Sequence, residues 1–233
     1  MTAHAPPIIS RYRDRSPTPS ALTPLAPSFF RRDSTTVARH LLGRYLVREA
    51  GASSSSDGAT LIMRIVETEA YLGAPDRASH AFDGRRTERN ESLYLAGGHA
   101  YVYFIYGMHF CMNVVSGRGG LGDAALLRGG EPIAGIEEMV TRRGLKRSPR
   151  PGDIAGGPGK LCQALGIDRA LDGHSLLEAG ALYVTRGEPV PDDFVVTGPR
   201  IGVDYAGEAA RWPLRFAISG HPEMSRPRLR ASR

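Results

Sequence analysis

The sequence predicts an α+β fold in which strands pair mostly as antiparallel neighbours and a few short helices pack around them. Three observations carry this. Strand-like runs are numerous and do not alternate with helices as βαβ units would. The stretch Ala100 to Val115 is β-rich on both sides of Gly107, which can turn the chain into a hairpin with Tyr106-Gly107-Met108 at its tip. Segments with helical spacing are few and short.

The elements follow in order. Residues 1–28 are rich in Pro, Ser, Thr and Arg, lack the apolar run of a signal peptide, and read as a disordered basic leader. Asp33 or Ser34 can cap a helix that runs to Leu42 and turns inward Val37, Leu41 and Leu42, with Gly43 ending it. A strand near Tyr45 to Arg48 and a longer one from Thr60 to Tyr71 form a hairpin across the flexible Gly51–Gly58 connection. Tyr71 to Gly98 reads as loop. After the Ala100–Val115 hairpin come a strand from Ala124 to Arg128, a helix over Ile133–Arg143, and a basic loop over Gly144–Gly156. Pro158 suits the first position of a helix ending before Gly166. Short strands are expected near Leu182–Arg186, Arg200–Val203 and Leu214–Ile218. No internal boundary divides the chain, so residues 29–221 read as one domain and residues 222–233 as a basic tail whose charges solubilise it.

Composition narrows the class. The chain has 233 residues, 41% hydrophobic and 23% charged, with no apolar run near the roughly 18 residues of a membrane span. This excludes a helical membrane protein and, with the lack of a signal peptide, points to a cytoplasmic one. Cys111 and Cys162 lie in apolar surroundings without metal spacing, so buried thiols are expected and neither a disulfide framework nor a metal site. Thirty Lys and Arg against 24 Asp and Glu give a pI of about 9.6. The excess clusters at Arg85, Arg86 and Arg89, at Arg142–Arg150, and in the tail, a distribution suited to neutralising phosphates.

The most informative stretch is Arg64-Ile65-Val66-Glu67-Thr68-Glu69-Ala70-Tyr71. With a period of two, Ile65, Glu67, Glu69 and Tyr71 share a face, and the carboxylates stand about 7 Å apart. Two acids so placed can divide the roles of general base and structural anion. Flat rings at Tyr71, His80 and Tyr103 could grip a planar base, and Tyr106 is placed to fill the stack that an extruded nucleotide leaves. A carboxylate at the sugar would then activate water against C1′.

These residues resemble a known family. Glu67-Thr68-Glu69-Ala70-Tyr71-Leu72-Gly73, His80 at its spacing, Arg85-Arg86-Thr87-Glu88-Arg89-Asn90, Tyr101 to Met108, Cys111-Met112-Asn113, Leu126-Leu127-Arg128, Gly157 to Leu165 and Pro213 to Phe216 are similar to the alkyladenine (3-methyladenine) DNA glycosylases. The resemblance spans roughly residues 29–220. It implies a single domain with a curved, mostly antiparallel sheet, surrounding helices and a protruding β-hairpin. It also implies a monofunctional enzyme, without metal or cofactor, that acts as a monomer on double-stranded DNA containing damaged purines. It would release 3-methyladenine or 7-methylguanine, with hypoxanthine and ethenoadenine as further substrates, and leave an abasic site.

Position by position, the resemblance places the general base at Glu69 and a water-holding partner at Arg128. Tyr71, His80, Tyr103 and Asn113 fall on the base pocket, Asn113 where it hinders the 2-amino group of guanine. Tyr106 and Met108 fall on the intercalating tip, and Arg85, Thr87 and Lys160 on DNA-backbone contacts. Glu67 is left as a supporting acid, and Tyr101 and Phe104 as packing. Two positions depart from the family pattern: His109 stands where vertebrate members have tyrosine, and Gly159 where members have serine. A carbohydrate-directed glycosidase would share the acids but not the hairpin tyrosine or the arginines. A non-catalytic minor-groove protein that binds DNA damage would use the wedge and the charge but not Glu69.

Overall fold

The computed structural model describes residues 17, 22–49 and 60–230. Most of the expected leader, the Gly51–Gly58 connection and Arg233 lie outside the described residues. Eight strands form one open sheet: β1 (Tyr45–Arg48), β2 (Leu61–Leu72), β3 (Ala100–Ile105), β4 (His109–Val115), β5 (Asp123–Ala134), β6 (Leu182–Thr185), β7 (Val195–Gly198) and β8 (Arg215–Ile218). Their order is β3-β4-β5-β2-β1-β6, with β8 joining the far half of β2 and β7 lying beyond it. Every pairing is antiparallel. The helices are α1 (Pro27–Phe30), α2 (Ser34–Leu41), α3 (Ile136–Arg142) and α4 (Pro158–Leu165), with several short 3-10 turns. The fold is α+β, as the strand-rich pattern predicts.

Strand β2 is the spine. It pairs with β5 along its length, while β1 and then β8 share its other edge. Helix α2 covers one face. Asp33 caps it by accepting from the Thr36 amide at 2.8 Å, and Val37, Ala38 and Leu41 enter the main core with Leu61, Met63, Ile65 and Ala70 of β2. Gly43, at φ +82°, ends the turn, where a side chain would collide with the Glu188 carbonyl.

Three expectations need correction. Ile65 does not share the face of Glu67: it packs in the main core with Ala70, and Thr68 also points that way, its hydroxyl donating to the Ala38 carbonyl. The cause is a pair of opposed bulges. Ile65 opposes Gly130 and Glu67 opposes Gly129, so Val66 is an extra residue on β2; Thr68 then opposes Leu127, so Arg128 is the extra residue on β5. The helix expected over Ile133–Arg143 begins only at Ile136, because β2 is long enough to hold β5 as strand through Ala134, and Gly135 in the left-handed region makes the break. The strand expected at Arg200–Val203 lies instead at Val195–Gly198, where β8 offers a partner. Residues 200–203 form a loop against the site.

The C-terminal residues 222–230 pack on the domain. Met224 and Ser225 are buried, Leu229 joins a small cluster with Val196 and Ala217, and Arg226, Arg228 and Arg230 remain exposed.

Candidate active site

The end of β2 places its acids where the sheet meets three loops. Glu67 and Glu69 have no exposed surface. Glu69 accepts from the Tyr71 hydroxyl at Oε2 (2.9 Å) and from the Ile201 amide at Oε1 (2.8 Å), and Arg128 Nη1 stands 3.2 Å from Oε1. Tyr71, Arg128 and Ile201 in turn line a cavity of about 590 Å³, which places Glu69 one layer behind its wall. Burial opposes the charge of Arg128, but Glu69 and then Glu67 outweigh it and favour the charged guanidinium. Burial, reinforced by the charge of Glu69, holds the Tyr71 hydroxyl well above its ordinary pKa, so it donates to the acid.

One part of the wall is aromatic. Tyr103 and His80 meet edge to face with centroids 4.6 Å apart, and Tyr101 stacks on Tyr103 at 5.2 Å. The Tyr101 hydroxyl lies 2.7 Å from His80 Nδ1, which fixes the imidazole. His80 keeps an exposed edge, yet the surrounding protein still desolvates it and, with Arg89 and Arg85, lowers its pKa; it is neutral at physiological pH. Burial and a hydrogen-bonded Cys111 raise Tyr103, and burial pushes the Cys111 thiol up to about 11, so neither ionises. Asn113 is buried on β4 beside Leu126, its Nδ2 within 3.5 Å of the Tyr101 carbonyl.

The structure thus gathers Tyr71, His80, Tyr103, Asn113 and Arg128 around one cavity, with Glu69 behind them. Tyr106 lines its mouth from the hairpin tip, 79% exposed, and Met108 projects beside it, 69% exposed. Arg85 and Thr87 are exposed on the loop after His80, away from the cavity wall. Thr87 also begins a capping box, its amide donating to Asn90 Oδ1 at 2.7 Å while Asn90 Nδ2 holds the His80 and Arg85 carbonyls. Lys160 lines the cavity, but its ammonium donates to the Gly152 carbonyl at 2.8 Å.

Sequence reasoning missed three supports. Tyr101, read as packing, holds His80. Arg200 is buried, pairs with both oxygens of Asp76, bonds the Ala70 carbonyl, and places its guanidinium carbon 4.6 Å over the Tyr71 ring. Its neighbour Ile201 supplies the amide to Glu69. The visible signal was the Gly198-Pro199-Arg200-Ile201-Gly202 composition, which suits a loop better than a strand. The two departures from the family pattern meet in space: a Cβ at Gly159 would lie 3.1 Å from the Cβ of His109, so the bare glycine makes room for the imidazole.

A ring-lined slot with a buried acid behind it can hold a flat heterocycle and act where that heterocycle joins a sugar, which places the molecule among enzymes that hydrolyse N-glycosyl bonds. Known proteins narrow that class. The profile of the methylpurine-DNA glycosylases matches residues 28–222, and the chain belongs to that family. It is similar to a candidate 3-methyladenine DNA glycosylase of Clostridium perfringens strain SM101, 43% identical over 208 residues that cover 87% of this chain and 98% of the relative. A candidate 3-methyladenine DNA glycosylase of Methanocella arvoryzae is 46% identical over 85% of this chain and 94% of the relative. The DNA-3-methyladenine glycosylase of Mus musculus is 43% identical over 86% of this chain and 61% of its own length. Membership makes the protein a DNA glycosylase, and thus an enzyme rather than a passive groove-binding protein. Among the described residues no helix is long and apolar enough to cross a membrane.

Proposed function

We propose that the protein excises alkylated purines, chiefly 3-methyladenine and 7-methylguanine, and also hypoxanthine and ethenoadenine, from duplex DNA. Tyr106, with Met108 beside it, fills the stack as the damaged nucleotide swings out, and the base enters the slot of Tyr71, His80 and Tyr103. Asn113 hinders the 2-amino group of guanine. Arg85, Thr87 and Lys160 meet the backbone, Lys160 after exchanging its bond to Gly152 for a phosphate.

Glu69 is the general base. A carboxylate offers about four acceptor sites, and Tyr71, Ile201 and Arg128 occupy three, leaving one on Oε2 for a water. As the C1′–N bond breaks, its electron pair leaves with the base, which for an alkylated purine cation discharges the positive ring and for neutral hypoxanthine or ethenoadenine leaves an anion that takes a proton from solvent water. The water oxygen bonds C1′ and its proton passes to Glu69. The carboxylate also stabilises the oxocarbenium-like state, and Arg128 orients the attacking water.

One observation carries this reading: a wholly buried carboxylate stands behind a wall built from three of its own partners, and that wall faces a cavity of ligand size. The test uses duplexes with a single hypoxanthine, ethenoadenine or 3-methyladenine analogue and counts abasic sites formed. Wild type should release base, and Glu69→Gln should be slower by about 100-fold. Equal rates would remove Glu69 from the mechanism, and no release from any duplex would overturn the substrate class.

A further inference from the structure

Glu67 takes no part in the reaction proposed above, yet it is as fully partnered as Glu69. Arg215 Nε donates to its Oε1 at 2.6 Å, Ser225 Oγ to Oε1 at 2.9 Å, and the Ser225 amide to Oε2 at 2.6 Å. Arg215, itself 2% exposed, reaches on to the Pro227 carbonyl at 2.8 Å. Two residues earlier, the Glu223 carboxylate accepts from the Gly152 amide at 2.7 Å, in the loop that leads to the Gly156–Lys160 wall of the cavity. Gly129 allows this closeness, since a Cβ there would lie 3.1 Å from Glu67 Oε2 and 3.2 Å from the Glu223 carbonyl.

What Glu67 holds on its other side is Arg128. Arg128 Nε stands 3.5 Å from Glu67 Oε1 and makes no hydrogen bond, while Nη1 pairs with Glu69 at 3.2 Å. The guanidinium is therefore drawn by two acids at once. Were Glu67 slack or neutral, Arg128 would have one anionic partner and could swing its fork fully onto Glu69, taking the acceptor site that a water needs.

We propose that residues 223–227 form a latch on the active site: they hold Glu67, which restrains Arg128 from closing on Glu69. Glu67 and Ser225 are then positioning residues for the glycosylase reaction. The latch is supplied by chain beyond the family match, which ends at residue 222. The inference rests on the reading that Glu69 and Arg128 carry the reaction.

The test compares single-turnover excision and lesion-duplex affinity for full-length wild type, Glu67→Gln, Ser225→Ala, Arg128→Gln and the double variants. Glu67→Gln should slow excision by about 10- to 50-fold and Ser225→Ala by about 3- to 10-fold, with affinity within about twofold, because the defect lies in geometry at the acid. Adding Glu67→Gln to Arg128→Gln should cause little further loss, since coupled residues are non-additive. Wild-type rates for both Glu67→Gln and Ser225→Ala, or losses that multiply in the double variant, would overturn the latch. Should Glu67→Gln fail to fold, the Ser225→Ala and Arg128→Gln cycle decides by the same criterion. A wild-type rate for Glu69→Gln would instead refute the underlying reading; failure of the latch alone leaves Glu69→Gln slow and the other two fast.

Discussion

Tyr71 illustrates how single residues at this site owe their state to burial. Its ring lies under the Arg200 guanidinium and its hydroxyl faces Glu69, so both desolvation and the neighbouring anion hold the proton in place. The sequence shows Tyr71 and Glu69 two apart on a strand, and their hydrogen bond follows from that spacing. It does not show Arg200, which arrives from a residue 130 positions beyond Ala70, whose carbonyl it bonds. Asp123 presents the reverse case, an acid without such help. Burial first, and then the charges of Asp33 and Asp76, raise its pKa from 3.8 to about 6. A folded value above the unfolded one means that the folded state favours the protonated acid. The penalty is therefore full above pH 6 and disappears as pH falls below the unfolded value. Asp123→Asn should raise stability at pH 7.5 by about 1 kcal/mol, or about 2–4 °C in Tm, after discounting for its exposed part. The gain should vanish near pH 4. Melting curves at both pH values check this, and equal Tm at pH 7.5 would contradict it.

At the scale of elements, the β3–β4 hairpin was the most legible, because β-rich residues on both sides of one glycine mark both its arms and its turn. Its register runs from Ala100 opposite Val114 to Ile105 opposite His109. The bulges on β2 and β5 were not legible: a period of two continues through Val66 in the sequence, and only the pairing reveals the extra residue. The second half of β5 was hidden for a related reason, since Gly129, Gly130 and Pro132 read as breakers until β2 is present to pair with them. The hairpin tip also holds a local conflict. Tyr106 adopts φ +54°, a left-handed conformation that costs a non-glycine residue about 1–2 kcal/mol. With 79% of its surface exposed, the ring returns little packing in the free protein. Replacing it with glycine separates the two roles. Tyr106→Gly should melt at or above the wild-type temperature, while its affinity for lesion duplex falls by about tenfold or more, the scale of one lost stacking contact. Unchanged affinity by fluorescence anisotropy would remove Tyr106 from the DNA contact.

For the molecule as a whole, the formal charge of +6 sets how it meets a polyanion, but fewer of its cations are unpaired than the sequence suggests. Arg86 is joined to Glu91, Arg142 to Glu138 at 2.7 Å, and Arg147 to Asp153 at 2.9 Å. Each of these arginines must share or release its acid before it can neutralise a phosphate, so the clusters read along the chain overstate the contact. Arg85, exposed on the loop after His80, and Lys160, on the cavity wall, are the better measure. A count of about two phosphates gives a slope of log affinity against log salt near −1.8, and binding should weaken by about 12-fold between roughly 50 and 200 mM salt. Removing one contact should then change the slope rather than only the intercept. Arg85→Gln should weaken lesion and undamaged duplexes alike and flatten the slope by about 0.9, whereas Tyr106→Gly should lower affinity with the slope kept. Titrations at four salt concentrations with both variants measure this. A flat response in wild type would contradict charge-driven docking of duplex DNA, and an unchanged slope in Arg85→Gln would place the phosphate contact elsewhere on the surface.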